Sequence, residues 1–109
     1  MPMRAKYQWG PYLWGLIHTI TVIDFEEPQV QKHFVKEAME KLKNVASFIP
    51  CSKCATHYHE HLNQLTEEEV IKPMRLFEHM VAFHNQVNRK LNKPEITVEQ
   101  ARELWVLKI

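Results

Sequence analysis

Cys51 and Cys54 are the only cysteines among the 109 residues, and they stand together in Pro50-Cys51-Ser52-Lys53-Cys54. Two intervening residues let both sulfurs meet across one helical turn at disulfide distance. The preceding proline puts the pair at a helix start, where unpaired N–H groups and the positive end of the helix dipole favour thiolate over thiol. Lys53 adds a positive charge beside them. A thiolate is the species that attacks a disulfide or a flavin, so this spacing predicts redox work. A structural zinc site is the competing chemistry, because C-x2-C-x2-H-x3-H offers Cys51, Cys54, His57 and His61 as ligands. On one helix, however, Cys54, His57 and His61 share a face while Cys51 begins a turn earlier, a poor start for a tetrahedron around one ion. A thioredoxin-type site wants its CxxC after a strand in an α/β pattern, and no such pattern precedes Cys51. Haem attachment fails because Ala55 occupies the position where CxxCH needs histidine.

A second group lies in His84-Asn85-Gln86-Val87-Asn88. His84 and Asn88 are one helical turn apart and project from one face. A ring and an amide so placed could hold a flat heterocycle and bond its edge, with Arg89, Lys90 and Lys93 close by for phosphates. Trp14 and His18 repeat the same i,i+4 spacing near the N-terminus. Taken singly, each pair is better explained as core packing or locally satisfied hydrogen bonding.

The elements that must position these groups are helical. Gly10 and Gly15 are the only glycines, and alternating Val/Ile/Thr runs are few, which argues against a sheet. The 3.6-residue period predicts helices over Pro11 to Ile23, Pro28 to Phe48, Cys51 to Asn63 and Pro73 to Leu91. Their inward stripes are Leu13, Trp14, Ile17 and Ile20 or Thr21 in the first, and Val30, Phe34, Val35, Ala38, Leu42, Val45 and Ile49 in the second. In the last the stripe runs from Leu76 and Phe77 to Val87 and Leu91. Thr66 with Glu69 has the form of a capping box that starts a short turn of helix. Thr97 with Gln100 caps a closing helix carrying Ala101, Leu104, Trp105 and Leu107. The expected fold is all-α, a four-helix bundle with a short fifth helix. It forms one domain over residues 1–109, with 1–8 a flexible N-terminal segment. Hydrophobic residues make up 45%, charged residues 25%, and the net charge is +1, a globular balance without the basic field that binds nucleic acid. The N-terminus lacks the apolar run of a signal peptide, and no stretch approaches the roughly 18 apolar residues of a membrane span. The reading is a soluble chain with neither nucleic-acid nor membrane partner.

Taken in order, the motifs resemble the FAD-linked sulfhydryl oxidases of the Erv/ALR type. They read Gly10 with Trp14-Gly15-Leu16-Ile17-His18, then Ile49-Pro50-Cys51-Ser52-Lys53-Cys54, then His84-Asn85-Gln86-Val87-Asn88-Arg89-Lys90-Leu91-Asn92-Lys93-Pro94. The resemblance implies a bundle with FAD bound at one end, usually as a homodimer. It implies flavin contacts at Gly10, Trp14, His18, His84, Asn88, Leu91 and Lys93. Trp105 falls near a family aromatic, and His57 and Tyr58, one turn past Cys54, are expected to face the flavin. The implied reaction is oxidation of protein dithiols. A substrate thiolate attacks Cys51, expected to be the more exposed sulfur, and Cys54, expected one turn deeper, passes electrons through FAD to oxygen, giving hydrogen peroxide. Many family members carry a further cysteine pair on a mobile tail and an extra structural disulfide, which two cysteines cannot supply. Client thiols or a thioredoxin-like partner must therefore meet Cys51 directly. Such minimal forms resemble those of large cytoplasmic DNA viruses, which implies a viral chain in the cytoplasm or virion, ahead of the mitochondrial intermembrane space.

Overall fold

Prolines and capping side chains set most of the helix boundaries. The computed structural model describes residues 6–106 and contains α1 (Lys6–Ile20), α2 (Pro28–Val45), α3 (Ser52–Gln64), α4 (Glu67–Val70), α5 (Arg75–Lys90) and α6 (Val98–Trp105). A 3₁₀ turn, Ala46–Phe48, prolongs α2. No strand occurs among the described residues, and α1, α2, α3 and α5 form the expected four-helix body, with α6 closing it. Pro28 opens α2 behind Glu27, whose carboxylate accepts the Gln29 N–H. Cys51 is itself the N-cap of α3, and Thr97 and Gln100 form the expected capping box on α6.

Three boundaries differ from the sequence reading. Pro11 stands inside α1 rather than at its first turn, which leaves a carbonyl one turn earlier without its usual intrahelical N–H. Helix α1 then stops at Ile20, because the Thr21 hydroxyl and N–H both turn back on the His18 carbonyl, at 3.0 and 3.3 Å. Pro73 does not open α5, since Met74 intervenes with φ 62°, a left-handed conformation costly for any residue but glycine. It is held there by its N–H donating 2.9 Å to the Ile23 carbonyl and by a buried side chain. Of the expected N-terminal segment, residues 1–5 lie outside the described residues, as does Leu107, and residues 6–8 open α1.

The core follows a narrower stripe than the apolar period. Gln31, Val35, Ala38, Leu42 and Val45 are the buried residues of α2. They meet Ile17 of α1, Tyr58 and Leu62 of α3, and Leu76, Met80 and Phe83 of α5. Each such large side chain contributes about 1.5–3 kcal/mol by leaving water. A second cluster, Met74, Phe77 and Val81 with Ala101, Trp105 and Val106, seats α6 on α5. Val30, Phe34, Leu91 and Leu104, expected inward, are exposed. On α2 the buried row is anchored one residue over, on Gln31, which turns Val30 and Phe34 outward, and Leu91 lies beyond the last residue of α5.

Buried Gln31 clamps the α1–α2 connection. Its Nε2 donates to the Ile23 carbonyl at 3.2 Å, and its Oε1 accepts the Phe25 N–H at 2.8 Å. Gln31→Leu should leave that N–H unpaired and lower unfolding free energy by about 1–3 kcal/mol. Urea titration followed by circular dichroism checks this, and an unchanged midpoint would remove the clamp from the account.

Candidate functional site

Four rings from three helices converge where α1, α5 and α6 meet. The i,i+4 spacing of Trp14 and His18 sets both on one face of α1, with ring centroids 5.7 Å apart. Trp14 stacks on His84 of α5 at 3.8 Å with planes 9° apart. His18 stacks on Trp105 of α6 at 4.3 Å. His18 Nε2 and His84 Nδ1 are 3.0 Å apart, one ring N–H donating to the other ring's lone pair. His18 is fully buried, and its Nδ1 has no hydrogen-bond partner among the described residues.

The two histidines form a neutral pair. Burial first, and then the charge His84 would carry, pushes His18 down from 6.5 to about 3. Burial first, and then Lys93, pushes His84 down to about 4. Both imidazoles are therefore uncharged at neutral pH, and the ring wall presents flat faces without net charge.

Phe83, the neighbour of His84 on α5, connects this wall to the cysteine helix. Its ring lies 5.8 Å from Trp14, 5.3 Å from His57 and 4.4 Å from His61, the last stacked on it. Cys54, His57 and His61 follow one another at i, i+3 and i+7, so they form a single stripe of α3. Since His57 and His61 pack on Phe83, the stripe that starts with Cys54 is turned toward the ring wall. The two sulfurs stand 2.7 Å apart, and Cys51 Sγ accepts the Cys54 N–H at 3.3 Å. That is the geometry of a pair able to pass between dithiol and disulfide, with an N–H aimed at one sulfur.

The exposure of the pair reverses the sequence expectation. Cys51 is half-buried and Cys54 is exposed. An N-cap side chain folds back over the first turn, which shields Cys51, whereas Cys54 projects from that turn. Tyr58 is a second correction. Its ring is buried in the core and its hydroxyl donates 2.6 Å to the Leu42 carbonyl, so it braces α3 against α2. Its burial also raises the phenol above its usual range. The zinc reading finds no ligand set either, for among the described residues no three His, Cys, Asp or Glu side chains converge on a metal position. His61 is engaged by Phe83 instead, and burial, then His57 and His79, holds its imidazole below the usual value.

The remaining sequence candidates fall around the wall. Asn88 is buried and bonds Asn85, and its carbonyl accepts the Lys93 N–H at 2.8 Å. Leu91 and Lys93 are exposed just past α5, while Arg89 is engaged with Glu95 at 2.8 Å. Gly10 is half-buried, and a Cβ there would meet nothing within 4 Å. Two residues were given no site role by the sequence reading. Phe83 read as core, which it is, and only the tertiary contacts reveal it as the bridge. Asn85 donates 2.7 Å to the Ile96 carbonyl and accepts the Ile96 N–H at 2.9 Å, fixing the approach to α6 and hence Trp105. An asparagine inside a helix is itself a signal, since its propensity there is poor.

Comparison with known proteins places these features in a lineage. The model of the Erv1 / Alr family matches residues 11–106. A FAD-linked sulfhydryl oxidase of African swine fever virus is 28% identical over 100 residues, covering 89% of this chain and 79% of that one. A relative from Frog virus 3 is 31% identical over 93 residues, covering 84% of this chain and 62% of that one. The mitochondrial FAD-linked sulfhydryl oxidase of Saccharomyces cerevisiae is 28% identical over 99 residues, covering 90% of this chain and 50% of that one.

The depressed histidines tie stability to pH. Each binds a proton in the unfolded chain near 6.5 but only near about 3 or about 4 when folded. Their contribution is thus present above pH 6.5 and lost as pH falls toward 4 and below. Denaturant midpoints measured from pH 7.5 to 4.5 should fall steadily, and His18→Phe should flatten the slope; an equal slope in that variant would contradict the assignment.

Proposed function

This chain belongs to the Erv1 / Alr family, and on that premise we propose that it is a FAD-dependent thiol oxidase. It joins two client thiols as a disulfide and delivers the electron pair to oxygen, giving hydrogen peroxide. The observation that carries this reading is the Cys54 stripe of α3 turned, through Phe83, onto a neutral ring wall. The residues fit a flavin. The wall offers flat faces at Trp14, His84 and Trp105, and buried His18 Nδ1 lacks a partner that a heterocycle edge would supply. Trp14, His18, His57, His84, Asn88 and Trp105 would hold the ring system, and Lys93 would face its negative groups, with Gly10 and Leu91 at the margin.

The chain's own sulfurs carry the first half of the reaction. A client thiolate attacks the Cys51 sulfur of the disulfide, the S–S bond breaks, and its electron pair leaves on Cys54 Sγ. A second client thiolate then attacks the client sulfur, forming the client disulfide and releasing Cys51 as the leaving thiolate, where the Cys54 N–H is aimed. The pair is now reduced by two electrons. FAD held at the wall would supply the two-electron acceptor for reoxidising the pair, with oxygen as the final oxidant. Cys54 serves the cofactor side because its stripe faces the wall, and its greater exposure marks the open end of that stripe. The neutral state of His18 and His84 keeps fixed positive charge out of the wall, while Phe83 and His61 pack its flank against water.

The electron donor is a protein dithiol, of which a thioredoxin-like redox partner is the simplest kind, since these residues hold no second cysteine pair to relay electrons. Two copies pair through the outer faces of α1 and α2. Tyr12, Leu16, Phe25, Val30 and Phe34 are exposed apolar side chains there, and Phe25 and Phe34 stack at 4.7 Å. No helix among the described residues is long and apolar enough to cross a membrane, and the viral relatives fit a cytoplasmic site of action.

The purified protein should be yellow, with flavin absorbance, and should consume oxygen on dithiothreitol with one peroxide formed per disulfide. Cys54→Ser should keep the colour and lose more than about 100-fold in turnover; normal turnover in that variant would remove the redox pair from the mechanism. Separately, Phe34→Asp should convert the dimer to monomer in light scattering, and a wild-type protein already monomeric at micromolar concentration would overturn the pairing.

A further inference from the structure

The surface beside the redox pair is unusual in both polarity and charge. Phe48 ends the 3₁₀ turn, and its side chain is 70% exposed. The turn presents it firmly. The Ile49 N–H donates to the Ala46 carbonyl at 3.2 Å, the Ser47 hydroxyl donates to the Asn44 carbonyl at 2.8 Å, and Ala46 and Ile49 pack against the core. Phe48 precedes Cys51 by three residues, so their Cα atoms are at most about 11 Å apart. Pro50 and Cys54 are exposed as well. Residues 41–59 contain Lys41, Lys43 and Lys53 and no Asp or Glu, although the whole chain has almost balanced charge at +1. All three lysines are exposed, and none takes part in an ion pair among the described residues.

We propose that Phe48 and Lys53 form the recognition surface for client thiols, and that the client is an extended segment whose cysteines are flanked by an apolar and an acidic residue. This rests on the thiol-oxidase reading and names the substrate class of that site. The argument is one of complementarity. An extended segment that delivers a thiolate to Cys51 must pass within reach of an aromatic ring held out in water, and covering that ring gives apolar binding energy. Lys53 stands between the two cysteines, so an acidic flank is drawn toward it and a basic one repelled. A small dithiol has no flank to bury and gains from neither feature. Phe48 is thereby a specificity residue with no part in sulfur exchange.

The test uses three substrates of the full chain with its flavin. They are dithiothreitol, a synthetic dithiol peptide with Leu and Glu flanking its cysteines, and the same peptide with Ser and Lys in those places. Wild type should favour the Leu/Glu peptide by about tenfold in kcat/KM at low salt, the scale of partly burying one aromatic ring and meeting one charge. Raising the salt should shrink the preference. Phe48→Ser, a change at an exposed position, should bring the two peptides within about threefold while leaving dithiothreitol turnover and the flavin spectrum as they were. Equal rates on the two peptides would overturn the proposal. So would a Phe48→Ser protein that loses rate equally on all three substrates, or one that turns from dimer to monomer, since the ring would then serve a second copy. A yellow wild-type protein that oxidises none of them, dithiothreitol included, would overturn the thiol-oxidase reading itself.

Discussion

The contact between His18 and His84 is the joint on which the site depends. It ties α1 to α5 across 66 positions of sequence at 3.0 Å, and it exists as a neutral hydrogen bond only because burial keeps both rings uncharged. Helical spacing then transmits its geometry. Trp14 is one turn from His18 and lies flat on His84, while Trp105 lies on His18 and brings α6 into the same wall. Phe83, next to His84, carries the register across to His57 and His61 on α3. The cysteine helix and the wall are thus joined through Phe83, whose neighbour His84 belongs to the imidazole pair. A proton on either imidazole would set a charge inside the buried stack, and protons on both would set donor against donor.

Much of this order is legible in the residues, and the reasons for the rest are specific. The four long helices follow from the 3.6-residue period, and the closing α6 from its Thr97–Gln100 capping box, because local chemistry decides them. The Cys pair, Trp14 with His18 and His84 with Asn88 are legible for the same reason, as i,i+3 and i,i+4 spacings need no tertiary knowledge. The edge of the buried stripe on α2 is not. A glutamine enters the core there because two backbone groups of a distant turn satisfy it, and that displaces Val30 and Phe34 to the surface. Met74 in a left-handed conformation and Tyr58 pinned to Leu42 likewise follow from partners that sequence spacing does not reveal. The exposure of the two sulfurs is reversed by a local effect, the folding back of an N-cap side chain over its own turn.

The exposed apolar residues divide by place, and the division bears on what each surface does. Tyr12, Leu16, Phe25, Val30 and Phe34 spread over α1, α2 and their connection, and Phe25 stacks on Phe34. Phe48 stands apart from them in the segment that leads to Cys51. Isolated apolar residues on a surface are ordinary, so exposure by itself assigns Phe48 nothing. Its position within three residues of a redox sulfur, in a segment whose formal charges are all positive, gives it a different standing from a stray phenylalanine.

A catalyst with two cysteines also constrains where selectivity can reside. Where a second pair intervenes, recognition of the client can be separated from the flavin-facing sulfurs and assigned to a mobile arm. Within these residues no such pair exists, and in the proposed mechanism client sulfur meets Cys51 itself. Thiol–disulfide exchange requires little beyond an in-line approach of three sulfurs, and small dithiols meet that condition as readily as proteins do. Any preference for one thiol over another must then come from contacts made outside the exchanging atoms, on the surface nearest to them. In the proposed reading the ring wall holds the cofactor and the α1 and α2 faces meet a second copy. The stretch from Phe48 to Lys53 leads directly to the exchanging sulfurs, and it carries an exposed ring and a cation.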